Sequence, residues 1–209
     1  ALIAFAVAEF GRLDVLVNNA GSGMLGRVTT LDPKTWHEVI ATDLDSVFYA
    51  TRFAVPHLQK TGGSIINIAS ICGVAADPGF SAYNAAKAGV INATRSFALE
   101  LAQSGVRVNV VSPGLISTPS TDQTPGPIRD IWHNLIPMRR AGKVEEISGM
   151  VAFLALLGTM MAGCGSGASE GRSSSWMGLP TETLQGVGPS VTVVPASSVL
   201  TAGKSMPVV

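Results

Sequence analysis

Tyr83 and Lys87 stand four residues apart in the run Tyr83-Asn84-Ala85-Ala86-Lys87, a spacing that puts both on one face of a helix. An ammonium beside a phenol favours the phenolate. The pair therefore reads as a proton-transfer couple in which the lysine draws the tyrosine down from its ordinary value of about 10. Ser70 directly follows the apolar run SIINIA of residues 64–69, at the end of a strand where open α/β sheets bind their ligands. A serine there is either a hydroxyl aimed at a substrate oxygen or the cap of the next turn. His37, His57 and His133 have no carboxylate or cysteine at metal-ligand spacing, and Cys72 and Cys164 show none either. The sequence argues against a metal site and against a disulfide framework.

The elements that must position these residues follow from apolar runs and their punctuation. Residues 1–10 read as the tail of a helix that Gly11 stops. Leu13–Asn18 is continuously apolar, as a parallel strand covered on both faces should be. Asp32 as N-cap and Pro33 at the first helical position start a helix that reaches about Pro56. A second strand spans Ser64–Ala69, a long helix spans Ser81–Gln103, and Gly105 separates it from a third strand at Val106–Val111. Residues 113–127 are rich in Ser, Thr, Pro and Gly and read as a loop of the lid type, and a last helix covers 143–157. Strands alternating with long helices predict an α/β fold with crossover connections.

Together, Asn18-Asn19-Ala20-Gly21, Ser70, the Tyr83 to Lys87 run and Ser112-Pro113-Gly114 resemble the classical short-chain dehydrogenases/reductases, above all the 3-oxoacyl-carrier-protein reductase type. The resemblance covers residues 1–157 and implies a partial Rossmann-like, doubly wound parallel sheet lacking its first strands. It implies hydride transfer between NAD or NADP and a keto or hydroxy group, a 3-oxoacyl thioester being one candidate. Tyr83 becomes the acid/base, Ser70 the group orienting the substrate oxygen, and Lys87 and Asp43 the remainder of a relay. The family has Asn where this chain has Asp43; the carboxylate either pairs with Lys87 or is a solvated helix residue. Asn18, Ala20 and Gly21 would line the adenosine ribose, and Pro113 and Gly114 the nicotinamide pocket. Ile116 and Thr118 match positions that contact the carboxamide, although Thr118 reads equally as a loop hydroxyl.

The same resemblance places a glycine-rich phosphate turn before Asn18, where this sequence has none, so the start reads as a cut edge. Gly21 and Gly23 follow what resembles the family's fourth strand and do not substitute for that turn. Two readings follow: an NAD(P)-dependent oxidoreductase, or an inactive fragment that associates with family subunits. In either, helices near 34–56 and 81–103 are the expected faces of a homo-oligomer.

Composition narrows the field. Fourteen basic and fourteen acidic residues give zero net charge, which offers nucleic acid and anionic membranes no surface. No signal peptide is evident, and the apolar stretch from Val151 is too short to span a bilayer, so a cytoplasmic protein is expected. Residues 158–209 lose periodicity, become rich in Gly and Ser, and read as a poorly ordered tail with one strand candidate at 191–195. Trp36 reads as a core or helix-packing residue, and Trp132 as a loop residue able to touch substrate or anchor the lid.

Overall fold

The computed structural model describes residues 2–161. Three parallel strands, β1 (Val15–Asn18), β2 (Ser64–Ile68) and β3 (Arg107–Val111), form one sheet in the order β1-β2-β3. Val15 pairs with Ser64 and Ser64 with Arg107, so all three strands end on the same crest. β2 starts at Ser64 as expected, while β1 and β3 start two residues and one residue inside their apolar runs because ladder pairing, not hydrophobicity, sets them.

Helices cover both faces, as the continuous apolar runs require. The first, α1 (Leu2–Phe10), ends at Gly11, whose φ of 72° is the left-handed stop that glycine adopts freely. α2 (Pro33–Ile40) starts as expected: the Asp32 carboxylate accepts the Lys34 N–H at 3.1 Å. It runs through a π-helical turn, Ala41–Asp45, into α3 (Ser46–Leu58). The long α4 (Ser81–Leu101) tightens into a 3-10 turn at Ala102–Ser104 before Gly105.

Two departures from the sequence reading stand out. The stretch read as loop after Pro127 is helix α5 (Gly126–Leu135), so Trp132 lies on a helix and not in a loop. Its Pro and Gly sit in the first turn, where a missing N–H costs nothing, and so they mark a start instead of a break. The last helix, α6 (Val144–Met161), continues past Leu157. The remaining tail, with the candidate strand at 191–195, lies outside the described residues.

The alternation of the strands sorts the core. Leu16, Ile65 and Val108 face α1, α3 and α4 through Ala54, Leu58 and Phe97. Val15 and Ile66 face the other way, onto Leu154 and Ala155 of α6. Ile65 and Ile66 are both fully buried, so truncating either to Ala costs about 2–5 kcal/mol. Helices on both faces of the sheet position the crest. That crest is where the chemistry gathers.

Candidate active site

Tyr83 and Lys87 occupy the first turns of α4, which packs against β2, β3 and the π turn. Lys87 is 3% exposed, and its ammonium donates to the Ile68 carbonyl at 3.1 Å. The Asp43 Oδ2 lies 3.3 Å from Lys87 Nζ, with both side chains buried. Of the two readings of Asp43, the ion pair is the one realised. The Lys87 Nζ also sits 5.4 Å from the centroid of the Tyr83 ring.

The π turn explains how Asp43 reaches this place. Val39, Asp43, Val47 and Thr51 are all buried at intervals of four residues. In an ordinary α-helix each such step drifts by roughly 40° around the axis. A turn in which the Ser46 N–H donates to the Ala41 carbonyl holds an extra residue and takes up part of that drift. Asp43 is thereby kept in line with the apolar face that leads to α4.

The loop after β1 closes over the ion pair. The Ser22 N–H donates to Asp43 Oδ1 at 2.7 Å, and a Cβ on Gly21 would stand 2.8 Å from Asp43 Oδ2 and 3.1 Å from Lys87 Nζ. Gly21 is thus required by the side chains beneath it. Ala20 and Gly21 remain exposed above, on the ligand side of the crest.

Ser70 is 8% exposed and caps the 3-10 turn Ile71–Gly73, its hydroxyl accepting the Cys72 N–H at 3.1 Å. The cap is realised in the structure. The turn packs hard on α4, since a Cβ on Gly73 would lie 2.7 Å from the Lys87 backbone carbon. Tyr83 departs from expectation. Burial pushes its phenol above the usual tyrosine value, the Ser70 hydrogen bond lowers it, and the charges of Cys72 and Asp43 raise it. The ammonium expected to draw the phenol down faces the Asp43 carboxylate, and burial is the largest influence on Tyr83. Burial likewise pushes the Cys72 thiol up, with Asp77 Oδ2 3.5 Å from its sulfur.

The remaining residues divide. The Pro113 carbonyl accepts the Ile71 N–H at 2.8 Å, joining the end of β3 to the Ser70 turn. Gly114 has open space where a Cβ would go. The Asn18 amide turns inward, to Asn67 Oδ1 at 2.8 Å and Thr51 Oγ1 at 3.4 Å, so only its backbone faces the crest. Ile116 bridges to Gly142, and the Thr118 hydroxyl bonds with Thr121 at 3.0 Å. Trp36 is 37% exposed and lines a shallow depression with Val28, Leu31, Pro33 and Ser81, so it is not a core residue. Sequence reasoning passed over Ser22, Asn67, Cys72 and Thr94. Of these only Asn67 carried a signal, as a lone amide inside an apolar strand.

The crest presents an exposed backbone at Ala20, Gly21 and Gly114, and the Tyr83 phenol is half-buried. The helix after β1 has its N-terminus closed by the Asp32 carboxylate, which repels an anion. Among the described residues no group of three or more His, Cys, Asp or Glu could hold a metal ion, and no helix is long and apolar enough to cross a membrane.

A family model described as enoyl-(acyl carrier protein) reductase matches residues 1–163. The chain is 43% identical over 150 residues to meso-2,3-butanediol dehydrogenase of Serratia marcescens, covering 71% of this chain and 60% of that protein. It is 42% identical over 150 residues to the 3-oxoacyl-[acyl-carrier-protein] reductase FabG of Thermotoga maritima, covering 71% and 61%. Cis-4-hydroxycyclohexanecarboxylate dehydrogenase of Sinomonas cyclohexanicum is 42% identical over 157 residues, covering 74% and 63%. The matched part is therefore under two thirds of each relative's length.

Proposed function

The chain belongs to the short-chain dehydrogenase/reductase family, and from that premise we propose that it carries the catalytic part of an NAD(P)-dependent oxidoreductase acting on a keto or hydroxy group. The observation that carries this reading is the convergence of Ser70, Tyr83, Lys87 and Asp43 on one crest, with Lys87 held between Ile68 and Asp43. Tyr83 exchanges a proton with the substrate oxygen. Ser70, at the strand end that precedes the Tyr83 helix, holds that oxygen in reach. Lys87 and the backbone at Ala20, Gly21, Pro113 and Gly114 hold the ribose and nicotinamide, with Asn18 contributing backbone alone. Ile116 and Thr118 flank the carboxamide. When bound, the nicotinamide supplies or accepts the hydride.

The names of the relatives span a diol, a 3-oxoacyl thioester and a hydroxycycloalkane carboxylate. A secondary alcohol or its ketone is common to all three, and that is the substrate class proposed here, in a cytoplasmic setting. A second reading has its own observation. Phe48, Tyr49 and Phe53 are 47–62% exposed on α3, and Leu99 is 57% exposed on α4. Such a surface favours association with another family subunit, with or without catalysis.

Titrating the purified chain with NADH and NADPH, by calorimetry, tests the first reading. Saturable binding below about 100 μM, a Kd within the usual cofactor range, supports it. Turnover lost in Tyr83→Phe assigns the acid/base. No binding at millimolar cofactor overturns the enzyme reading for this chain and leaves the association reading.

A further inference from the structure

We propose that Asp43 is a positioning residue that keeps Tyr83 in its protonated form by neutralising Lys87, making the couple a proton donor suited to carbonyl reduction. This deepens the oxidoreductase reading and rests on it for the word reduction, while the charge relationship stands on geometry alone.

The geometry is closed on every side. Asp43 is fully buried in the π turn, and its Oδ2 receives no hydrogen bond, so Lys87 Nζ at 3.3 Å meets it as a charge. Its Oδ1 is fixed by the Ser22 N–H at 2.7 Å. The ammonium donates to the Ile68 carbonyl and faces the Tyr83 ring from 5.4 Å. Gly21 lies so close above the pair that a Cβ there would meet Asp43 Oδ2 at 2.8 Å and Lys87 Nζ at 3.1 Å. In this water-poor setting a lone ammonium would act strongly on the phenol, and an ammonium with a carboxylate at contact acts weakly.

The other charges near Tyr83 do not take over this role. On the 3-10 turn stand Cys72 and, just beyond it, Asp77, and neither is cationic. On α2, Lys34 and Glu38 pair with each other at 3.7 Å in solvent, and His37 is exposed. Asp45, on the π turn, is exposed. Arg107 of β3 is in register with Ser64, at the opposite end of the sheet from Ser70. Lys87 and Asp43 are therefore the charges that decide.

The consequence for the reaction is directional. In reduction the hydride forms the new C–H bond at the carbonyl carbon, the Tyr83 O–H bond breaks, and its proton completes the alcohol. The phenolate left behind regains a proton from solvent. Oxidation of an alcohol needs the phenolate first, and Asp43 withholds it at neutral pH.

The chain has two tyrosines, and Tyr49 lies 56% exposed on α3, so Tyr49→Phe leaves Tyr83 as its single phenol. Phenolate absorbance is followed against pH in that variant and in one that also carries Asp43→Asn, with circular dichroism at each pH. The midpoint should fall by about one pH unit when the carboxylate is removed and the ammonium remains. An unchanged or higher midpoint in a folded protein overturns the proposal. Adding Lys87→Met to Asp43→Asn leaves no charge unpaired, and serves where the single change unfolds. A midpoint equal to that of Tyr49→Phe supports mutual neutralisation, and a displacement of a full unit refutes it. Neither cofactor nor substrate enters the titration, so its failure and a failure of cofactor binding are read separately.

Discussion

Asn18 and Asn67 face each other at a paired position of adjacent parallel strands, and the Asn18 amide donates to the Asn67 side-chain carbonyl at 2.8 Å. The Asn67 amide continues to Thr94 Oγ1 at 2.8 Å, and that hydroxyl donates to the Val90 carbonyl at 2.7 Å. A polar ladder thus crosses the core from β1 to α4. It fixes the strand register three residues before Ser70 and the face of the helix that carries Lys87.

Asn67→Ala should accordingly cost about 2–4 kcal/mol, because it opens a cavity and leaves the Asn18 donor with only a long contact to Thr51. Urea denaturation of the two proteins measures this. A loss below about 0.5 kcal/mol, the range of an ordinary surface change, would mean the ladder does not hold the register.

Two glycines of the crest should respond in opposite ways. Gly21→Ala drives a methyl into the Asp43–Lys87 pair at 2.8 Å and should destabilise the fold by about 1–3 kcal/mol. Gly114→Ala meets open space and should leave stability within about 0.5 kcal/mol while weakening nicotinamide binding. Thermal melts and cofactor titration of both variants check the contrast. Equal melting temperatures for the two would count against the close approach at Gly21.

What the sequence disclosed, and what it hid, follows from how local each cause is. The Asp32–Pro33 start, the Gly11 and Gly105 stops and the strand at SIINI are written in neighbouring residues, and each is realised. The spacing of Tyr83 and Lys87 correctly put them on one helix. The direction of the Tyr83 shift did not follow, because it depends first on burial that no spacing reveals and, in smaller part, on a carboxylate forty residues away. Helix α5 was masked by Pro and Gly residues that begin a helix as readily as they break one. Asn18 was assigned to the ligand side because its motif ends at the crest, yet its partner Asn67 draws the amide inward through a contact between strands.

Glu146 gives the clearest pH dependence. Its two carboxylate oxygens each receive an Arg140 guanidinium nitrogen at 2.9 Å, and it also accepts the Lys143 N–H at 2.6 Å, the backward reach of a capping box at the start of α6. The adjoining Gly142 exchanges backbone hydrogen bonds with Leu115 and Ser117 at 2.8 and 2.9 Å, so the clasp ties α6 to the loop after β3. Arg140 and the capped N–H hold the Glu146 carboxyl at about 2, below its ordinary 4.5. A depressed carboxylate stabilises the folded state above its unfolded value and stops doing so as pH falls through the folded one. The contribution is therefore complete above pH 4.5 and is lost on the way down to about 2. Both side chains are about half exposed, at 46% and 48%, so added salt should raise the midpoint by screening. Carboxyl NMR of the parent should show Glu146 titrating near 2, and Arg140→Met should move it toward 4.5. A parent midpoint already at the ordinary value would show that the clasp is open in solution, and that the loop carrying Ile116 and Thr118 is held to α6 by backbone bonds alone.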